Sequence, residues 1–218
     1  MSKARVAPQE PVQERSRQTM NRILDAAEEL LVEQSIDKVG IAEITAKAGV
    51  AAGSFYTRFS DKEDLLARLF ERYLDELRQV AAEIVPQLEQ EPLLEIRLET
   101  VIAAVTGLFT RRKGVVRSVV MKIRHDAAYQ NPEIMAEFLA FYDLLAKLLI
   151  ADGQEVTARD AQAAGKFCLQ LIASFSRDAI LFEEFPVQMM TPRKDPAFRV
   201  WLKQACLGVL RGEHIKAL

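Results

Sequence analysis

Apolar side chains recur at spacings of three and four residues along most of the chain, which is the pattern of amphipathic α-helices. The pattern predicts a first helix from about 15 to 35 and a long helix from 61 to 85, which Pro86 should end. After Pro92 the same spacing returns and predicts further helices as far as Leu210. Alternation of apolar and polar residues, which is typical of a half-buried strand, is absent. The chain is therefore expected to be all-α, with about nine helices.

Two short helices, at 41–48 and 51–59, are predicted on either side of Gly49. Glycine readily adopts the left-handed backbone conformation that a tight turn requires. Phe55 and Phe59 are four residues apart and so share one apolar face of the second helix. Two short helices joined by a glycine turn are typical of a helix-turn-helix unit that reads DNA. The predicted domains are a flexible N-terminal arm at 1–14, a helix-turn-helix DNA-binding domain at 15–60, and a helical domain at 61–218 whose segment 61–85 is the connecting helix.

The run from Ile44 to Phe59, followed by Asp61-Lys62-Glu63 and Leu65, resembles the tetracycline-repressor (TetR) family. The shared features are an Ala-Gly-Val turn, a glycine, a Tyr-x-x-Phe segment and a Lys-Glu pair entering the next helix. The motif is specific because many unlike positions match together. The resemblance implies a transcriptional regulator that binds double-stranded operator DNA as a homodimer and responds to a small-molecule effector.

The resemblance also implies a role for each matching position. Tyr56 and Lys62 are expected to hold DNA phosphates, and Thr57 and Arg58 to contact bases or the DNA backbone. Thr45, on the supporting helix, is expected to lie near the DNA backbone. The full set of expected DNA contacts is Thr45, Ala51, Ala52, Ser54, Tyr56, Thr57, Arg58 and Lys62.

Gly40 and Ala51 depart from the family's pattern, because each stands where a hydroxyl residue often caps a helix. Loss of such a cap costs ~1 kcal/mol of helix stability. We therefore expect sequence choice to depend on Ser54, Thr57 and Arg58, on methyl contacts and on DNA shape.

The larger, C-terminal part is expected to supply a dimer interface and an effector site. The last two helices carry apolar stripes that would form a four-helix interface across a two-fold axis, although the same stripes could instead pack within one chain. The expected interface residues are Cys168, Leu171, Phe175, Phe198, Trp201, Leu202, Ala205 and Val209. A small, mainly apolar effector is expected between the middle helices, where the alternative is a plain core. Its expected lining residues are Phe109, Arg117, Met121, His125, Phe138, Phe141, Tyr142, Phe167 and Phe175.

Composition limits the chemistry of the protein. The 218 residues carry a formal net charge of −2, so DNA binding requires a local basic patch rather than a basic coat. The two cysteines are interpreted as reduced, buried thiols, with a redox pair as the alternative. The two histidines are too few for a metal site, and we expect no cofactor. The apolar runs fall short of the ~20 residues that span a bilayer and the N-terminus lacks a signal-peptide core, so we expect a cytoplasmic protein with no membrane partner.

No pairing of nucleophile and base, metal-ligand spacing or glycine-rich phosphate loop is found in the sequence, so we expect no catalytic residues and no enzyme. Our main hypothesis is a dimeric repressor that an effector releases from its operator. Two alternatives stay open. One is a DNA-binding adaptor whose larger domain binds a protein partner, and the other is a transcriptional activator.

Overall fold

A computed structural model of the protein describes residues 10–125, 132–151, 155–185, 190–192 and 194–212. Within these ranges the chain forms only helices, so the all-α prediction is confirmed. None of the helices in the described ranges is long and apolar enough to cross a membrane. The helices are α1 (Glu10–Glu33), α2 (Ile41–Lys47), α3 (Gly53–Tyr56), α4 (Lys62–Gln90), α5 (Leu94–Arg111), α6 (Lys113–His125), α7 (Pro132–Leu149), α8 (Ala161–Leu181) and α9 (Phe198–Leu210).

The first helix, α1, begins at Glu10, about five residues before the predicted start, and residues 1–9 of the predicted arm lie outside the described residues. Pro11 does not prevent this, because an N–H group in the first turn of a helix has no partner within the helix to lose. The Glu14 carboxylate accepts hydrogen bonds from Arg17 and Gln18, three and four residues further on. Such pairs support the outer turns of a helix.

Pro86 does not end α4, contrary to the sequence-based expectation, since the helix continues to Gln90. A proline inside a helix lacks the N–H that would donate to the carbonyl four residues earlier, and it destabilises the helix by ~3 kcal/mol. Ile84 and Leu88 lie on either side of Pro86 and are 7% and 1% exposed. Their burial holds the last turn in helical form.

The chain divides into two compact units, Met1–Arg72 and Tyr73–Leu218, so the division falls inside α4. The first turns of α4 belong to unit 1 because Leu65 and Leu69 are fully buried there. The Arg72 guanidinium also donates to Asp25 and to the side-chain oxygen of Asn21 on α1, at 2.7 and 2.9 Å.

Unit 1 has a core of large aliphatic and aromatic side chains from its four helical segments. Burial of one such side chain contributes about 1.5–3 kcal/mol to folding. Its fully buried members include Ile23, Leu31, Ile44, Phe55, Phe59, Leu65 and Leu69.

Unit 2 is organised around α5 and α8, which pack against each other. α8 also packs against α7 and α9, and α5 against α9. The inward face of α5 repeats at helical spacing, with Leu98, Val101, Ile102 and Val105 at most 1% exposed. The inner face of α8 completes this core, whereas its outer face carries exposed side chains.

Candidate nucleic-acid interface

The turn between α2 and α3 is built as the sequence predicts. Gly49 has a φ of 64°, in the left-handed region. The Gly49 N–H donates to the Ala46 carbonyl at 3.1 Å, and the Val50 N–H to the Thr45 carbonyl at 3.0 Å. These two bonds form a Schellman motif, which satisfies the last carbonyls of α2 and directs the chain into α3.

The regular part of α3, Gly53–Tyr56, is shorter than the predicted 51–59. Hydrogen-bonded turns continue on both sides, from Ser54 N–H to the Ala51 carbonyl at 2.8 Å and from Phe59 N–H to the Phe55 carbonyl at 2.9 Å. The N-cap of α3, Ala52, has no side-chain acceptor, so tight turns rather than a capped helix begin this segment.

Two phenylalanines fix the orientation of the α3 segment. Phe55 and Phe59 are 0% and 1% exposed, and their ring centroids lie 5.2 Å apart. Because these rings occupy the inner face, the residues between and before them are turned outward. The exposed residues of this segment, named the α3 surface below, are Ala51, Ala52, Gly53, Tyr56 and Thr57.

The α3 surface contains four of the eight expected DNA contacts, namely Ala51, Ala52, Tyr56 and Thr57. The Tyr56 side chain is 63% exposed, and its ring stands edge-on to Phe55 with centroids 5.4 Å apart. The Thr57 hydroxyl donates to the Gly53 carbonyl at 2.8 Å, which leaves its oxygen able to accept. Ser54 is half-buried at the edge of this surface.

Thr45 does not lie on this surface, and the expectation for it needs correction. The residue is only 3% exposed. Its hydroxyl donates within α2 to the carbonyls of Ile41 and Ala42, at 3.0 and 3.1 Å. Thr45 therefore has a structural role within α2. The spacing of the motif alone could not distinguish this role from a DNA contact.

The two cations of the motif, Arg58 and Lys62, both donate to backbone carbonyls. Arg58 Nη1 lies 2.9 Å from the Ser54 carbonyl, and its Nε lies 3.4 Å from the carbonyl of Ser16 in α1. Lys62 Nζ lies 2.9, 3.0 and 3.1 Å from the carbonyls of Ile36, Asp37 and Val39. The expected phosphate contact at Lys62 thus competes with three internal hydrogen bonds.

The side chain of Asp61 caps the start of α4. The Asp64 N–H donates to Asp61 Oδ1 at 2.9 Å, and the Ser60 N–H donates to Asp64 Oδ2 at 3.0 Å. Carboxylates at this position stabilise the positive end of the helix. The α3–α4 junction is therefore held by its own hydrogen bonds.

In unit 2, three of the expected effector residues lie near one another. Phe138 stacks on Tyr73 with ring centroids 5.9 Å apart, and Phe141 lies 5.7 Å from Tyr142. Burial raises the pKa of Tyr142 to about 12, against a smaller opposing effect of Arg177. Burial also raises the pKa of Tyr73, with a further contribution from Tyr142. Tyr73 was not expected here, because its place in the apolar stripe of α4 marks it only as core.

Other expected effector residues differ in their burial. Phe109 is 5% exposed and belongs to the core, while Met121 is 39% exposed and His125 is exposed. Arg117 lies 3.9 Å from Glu184, whose carboxylate also accepts from Lys113 at 2.9 Å. The expectation that these side chains line an effector site stays a prediction.

Phe167 and Phe175, which were expected as effector residues, are 57% and 40% exposed on α8. Trp201 of α9 is 64% exposed, and Ala205 is exposed four residues further on. Phe175 stacks on Phe198 of α9 with parallel rings 5.1 Å apart. We name Phe167, Phe175, Trp201 and Ala205 the α8–α9 face.

Three of the expected interface residues lie inside unit 2 instead. Cys168, Phe198 and Leu202 are 0%, 1% and 3% exposed, and the Cys168 thiol lies 3.6 Å from the Cys206 carbonyl. These side chains pack α8 against α9 within one chain, so they are corrected from interface to core. Leu171 and Val209 are half-buried at the margin.

The fold and this site define the class: an all-helical protein whose N-terminal unit is a helix-turn-helix. Residues 23–69 match the family described as bacterial regulatory proteins, tetR family. This match places the N-terminal helix-turn-helix in that family, as the resemblance implied.

The curated relatives match this chain over very different lengths. The regulator YvdT of Bacillus subtilis is 43% identical over 53 residues, which are 24% of this chain and 27% of YvdT. The transcriptional repressor BepR of Brucella suis is 25% identical over 168 residues, 72% of this chain and 78% of BepR. Three of the curated relatives are matched over less than half of their own length.

A solved structure shows the same fold over nearly the whole chain. The transcriptional regulator of Aquifex aeolicus has a TM-score of 0.59 and 18% identity, over 89% of this chain and 99% of that one. At this low identity the likeness concerns the fold alone.

Proposed function

We propose that the protein is a dimeric, cytoplasmic transcriptional repressor that binds a pseudo-palindromic operator through the α3 surface. The observation that carries the proposal is this surface itself: Tyr56 and Thr57 stand outward on a segment anchored by Phe55 and Phe59. An exposed face that carries hydroxyl groups suits phosphate contact and entry into the major groove. The name of BepR, a repressor, favours repression over activation.

The α8–α9 face supports a homodimer. Exposed aromatic side chains on two packed helices are typical of an interaction site, because removing such apolar surface from water is favourable. Pairing of α8 and α9 with the same helices of a second copy would form a four-helix interface. Two readers related by a two-fold axis then address two half-sites about one DNA turn, ~34–36 Å, apart.

Release by a small, mainly apolar effector is the regulatory part of the proposal. The aromatic side chains of Tyr73, Phe138 and Tyr142 lie near one another and would supply apolar contacts for such an effector. α4 is continuous from Lys62 to Gln90 and carries Tyr73, so a ligand that moves this helix would alter the spacing of the two readers.

The experiment selects bound DNA from random fragments and then compares wild type with Tyr56→Phe on the selected operator. Loss of an exposed hydroxyl that bonds a phosphate should weaken binding about tenfold for all operator sequences alike, with no change in stability. The urea midpoint of Tyr56→Phe is the control, because an unchanged midpoint excludes loss of folding as the cause of weaker binding. Selection of no DNA by wild type, or equal affinity of Tyr56→Phe and wild type, would contradict the proposed interface.

A further inference from the structure

Lys62 stands at the first position of α4, where a positive charge is unfavourable on its own. The N-terminus of a helix carries about half a positive charge and favours acidic side chains. Asp61, Glu63 and Asp64 surround Lys62 in sequence and suit that position, whereas an ammonium group requires another source of stabilisation.

Three backbone carbonyls supply that stabilisation. Lys62 Nζ lies 2.9, 3.0 and 3.1 Å from the carbonyl oxygens of Ile36, Asp37 and Val39. A lysine ammonium has three N–H donors and no acceptor, so three carbonyls at these distances use its full capacity. Ile36 and Val39 are 3% and 0% exposed, which means that the carbonyls belong to a packed turn rather than a loose loop.

This turn determines where α2 begins. It joins α1 to Gly40, the N-cap of α2, which has no side-chain hydrogen bond of its own to fix the start of that helix. α2 in turn carries the Schellman turn that directs α3. The ammonium therefore connects the first residue of α4 to the segment that sets the position of the α3 surface.

We propose that Lys62 is a positioning residue: its ammonium clamps the α1–α2 turn to α4 and does not itself neutralise a DNA phosphate. The inference rests on the proposed DNA-binding function and reverses the role that the family motif suggests for this lysine. Arg58 provides the contrast. Among the described residues, backbone carbonyls accept from Nε and Nη1 of its guanidinium, so donors remain for a phosphate.

Salt dependence of operator binding separates the two roles. Each neutralised phosphate contributes about 0.9 to the slope of log affinity against log salt concentration. Lys62→Met keeps the aliphatic stem and removes the ammonium; we expect an affinity loss of about tenfold with an unchanged slope. Arg58→Met should reduce the slope by about 0.9. A similar reduction of the slope in Lys62→Met would overturn the proposal.

Chemical rescue and carbonyl NMR test the clamp directly. Lys62→Cys alkylated with 2-bromoethylamine restores an ammonium at nearly the same reach, whereas iodoacetamide adds a neutral group of similar length. The native Cys168 and Cys206 are fully buried, so the folded protein should be modified selectively at position 62. The aminoethyl form should recover the affinity and the wild-type carbonyl ¹³C shifts of Ile36, Asp37 and Val39, and the amide form should recover neither.

Two results distinguish failure of the clamp from failure of the function. Carbonyl shifts that are the same in wild type and Lys62→Met would overturn the clamp even if DNA binding is established. If wild type selects no DNA, the proposed function fails, while the carbonyl shifts still decide whether the clamp exists.

Discussion

Gly49 and Gly53 lie four residues apart in the helix-turn-helix, and alanine at these positions should have opposite effects on stability. A Cβ atom built at either glycine has no neighbouring atom within 4 Å, so neither change creates a clash. The difference lies in the backbone. Gly49 has a φ of 64°, whereas Gly53 is not among the residues with positive φ.

The magnitudes follow from this difference. Gly49→Ala places a Cβ in the left-handed region and should destabilise the protein by about 1–2 kcal/mol. Gly53→Ala fits the existing backbone and reduces the entropy of the unfolded chain, so it should stabilise the protein by about 0.4–1 kcal/mol. Urea unfolding followed by circular dichroism measures both, from the shift in midpoint at constant slope. Destabilisation by both variants would refute the conformational argument.

Gly53→Ala also tests the DNA interface, because the folded chain itself does not require a glycine at position 53. If the α3 surface enters the major groove, the added methyl group must be accommodated against DNA. Overpacking of a close contact costs about 1–3 kcal/mol, so Gly53→Ala should bind the operator at least fivefold more weakly although it is more stable. Equal affinity of Gly53→Ala and wild type would remove Gly53 from the interface.

Two further predictions concern unit 2. Trp201→Glu places a charge in the α8–α9 face and should convert a dimer to a monomer in sedimentation equilibrium. Folding should be retained, because the Trp201 side chain is 64% exposed. An unchanged mass would exclude this face as the interface. Burial alone would raise the pKa of Glu76, but hydrogen bonds donated by Arg111 and Arg112 outweigh it and hold that pKa below its usual range. The stabilisation of the folded state by ionised Glu76 is therefore present above the ordinary carboxyl pKa and lost as pH falls through the lowered value. Glu76→Gln should be less stable than wild type at neutral pH and equal to it in strong acid.

The helix-turn-helix was predictable because its constraints are local. The left-handed turn requires glycine, and the four-residue spacing of Phe55 and Phe59 defines an inner face, so both features can be derived from residues within one short segment. The length of α4 was not predictable in the same way. Whether a helix continues past Pro86 depends on the burial of Ile84 and Leu88, which the local pattern does not reveal.

The same limit applies to individual contacts. A threonine in α2 and a lysine entering α4 match the family's DNA contacts by position, yet sequence cannot show where their hydrogens point. The Thr45 hydroxyl bonds within its own helix, and the Lys62 ammonium bonds to the α1–α2 turn. Both alternatives use backbone carbonyls, which every residue type supplies and which therefore leave no mark in the sequence.

α9 shows why a core and an interface are difficult to separate from periodicity. Phe198, Leu202 and Cys206 follow one another at intervals of four and are buried, whereas Trp201 and Ala205 have the same spacing and are exposed. Both stripes are apolar, so a helical pattern predicts one wide hydrophobic face. Burial distinguishes the two stripes. The stripe of Phe198, Leu202 and Cys206 packs against α8, whereas the stripe of Trp201 and Ala205 is in contact with water. A helix that is apolar on two sides needs two partners. A second copy of the chain can supply the missing one by placing α8 and α9 against their own equivalents.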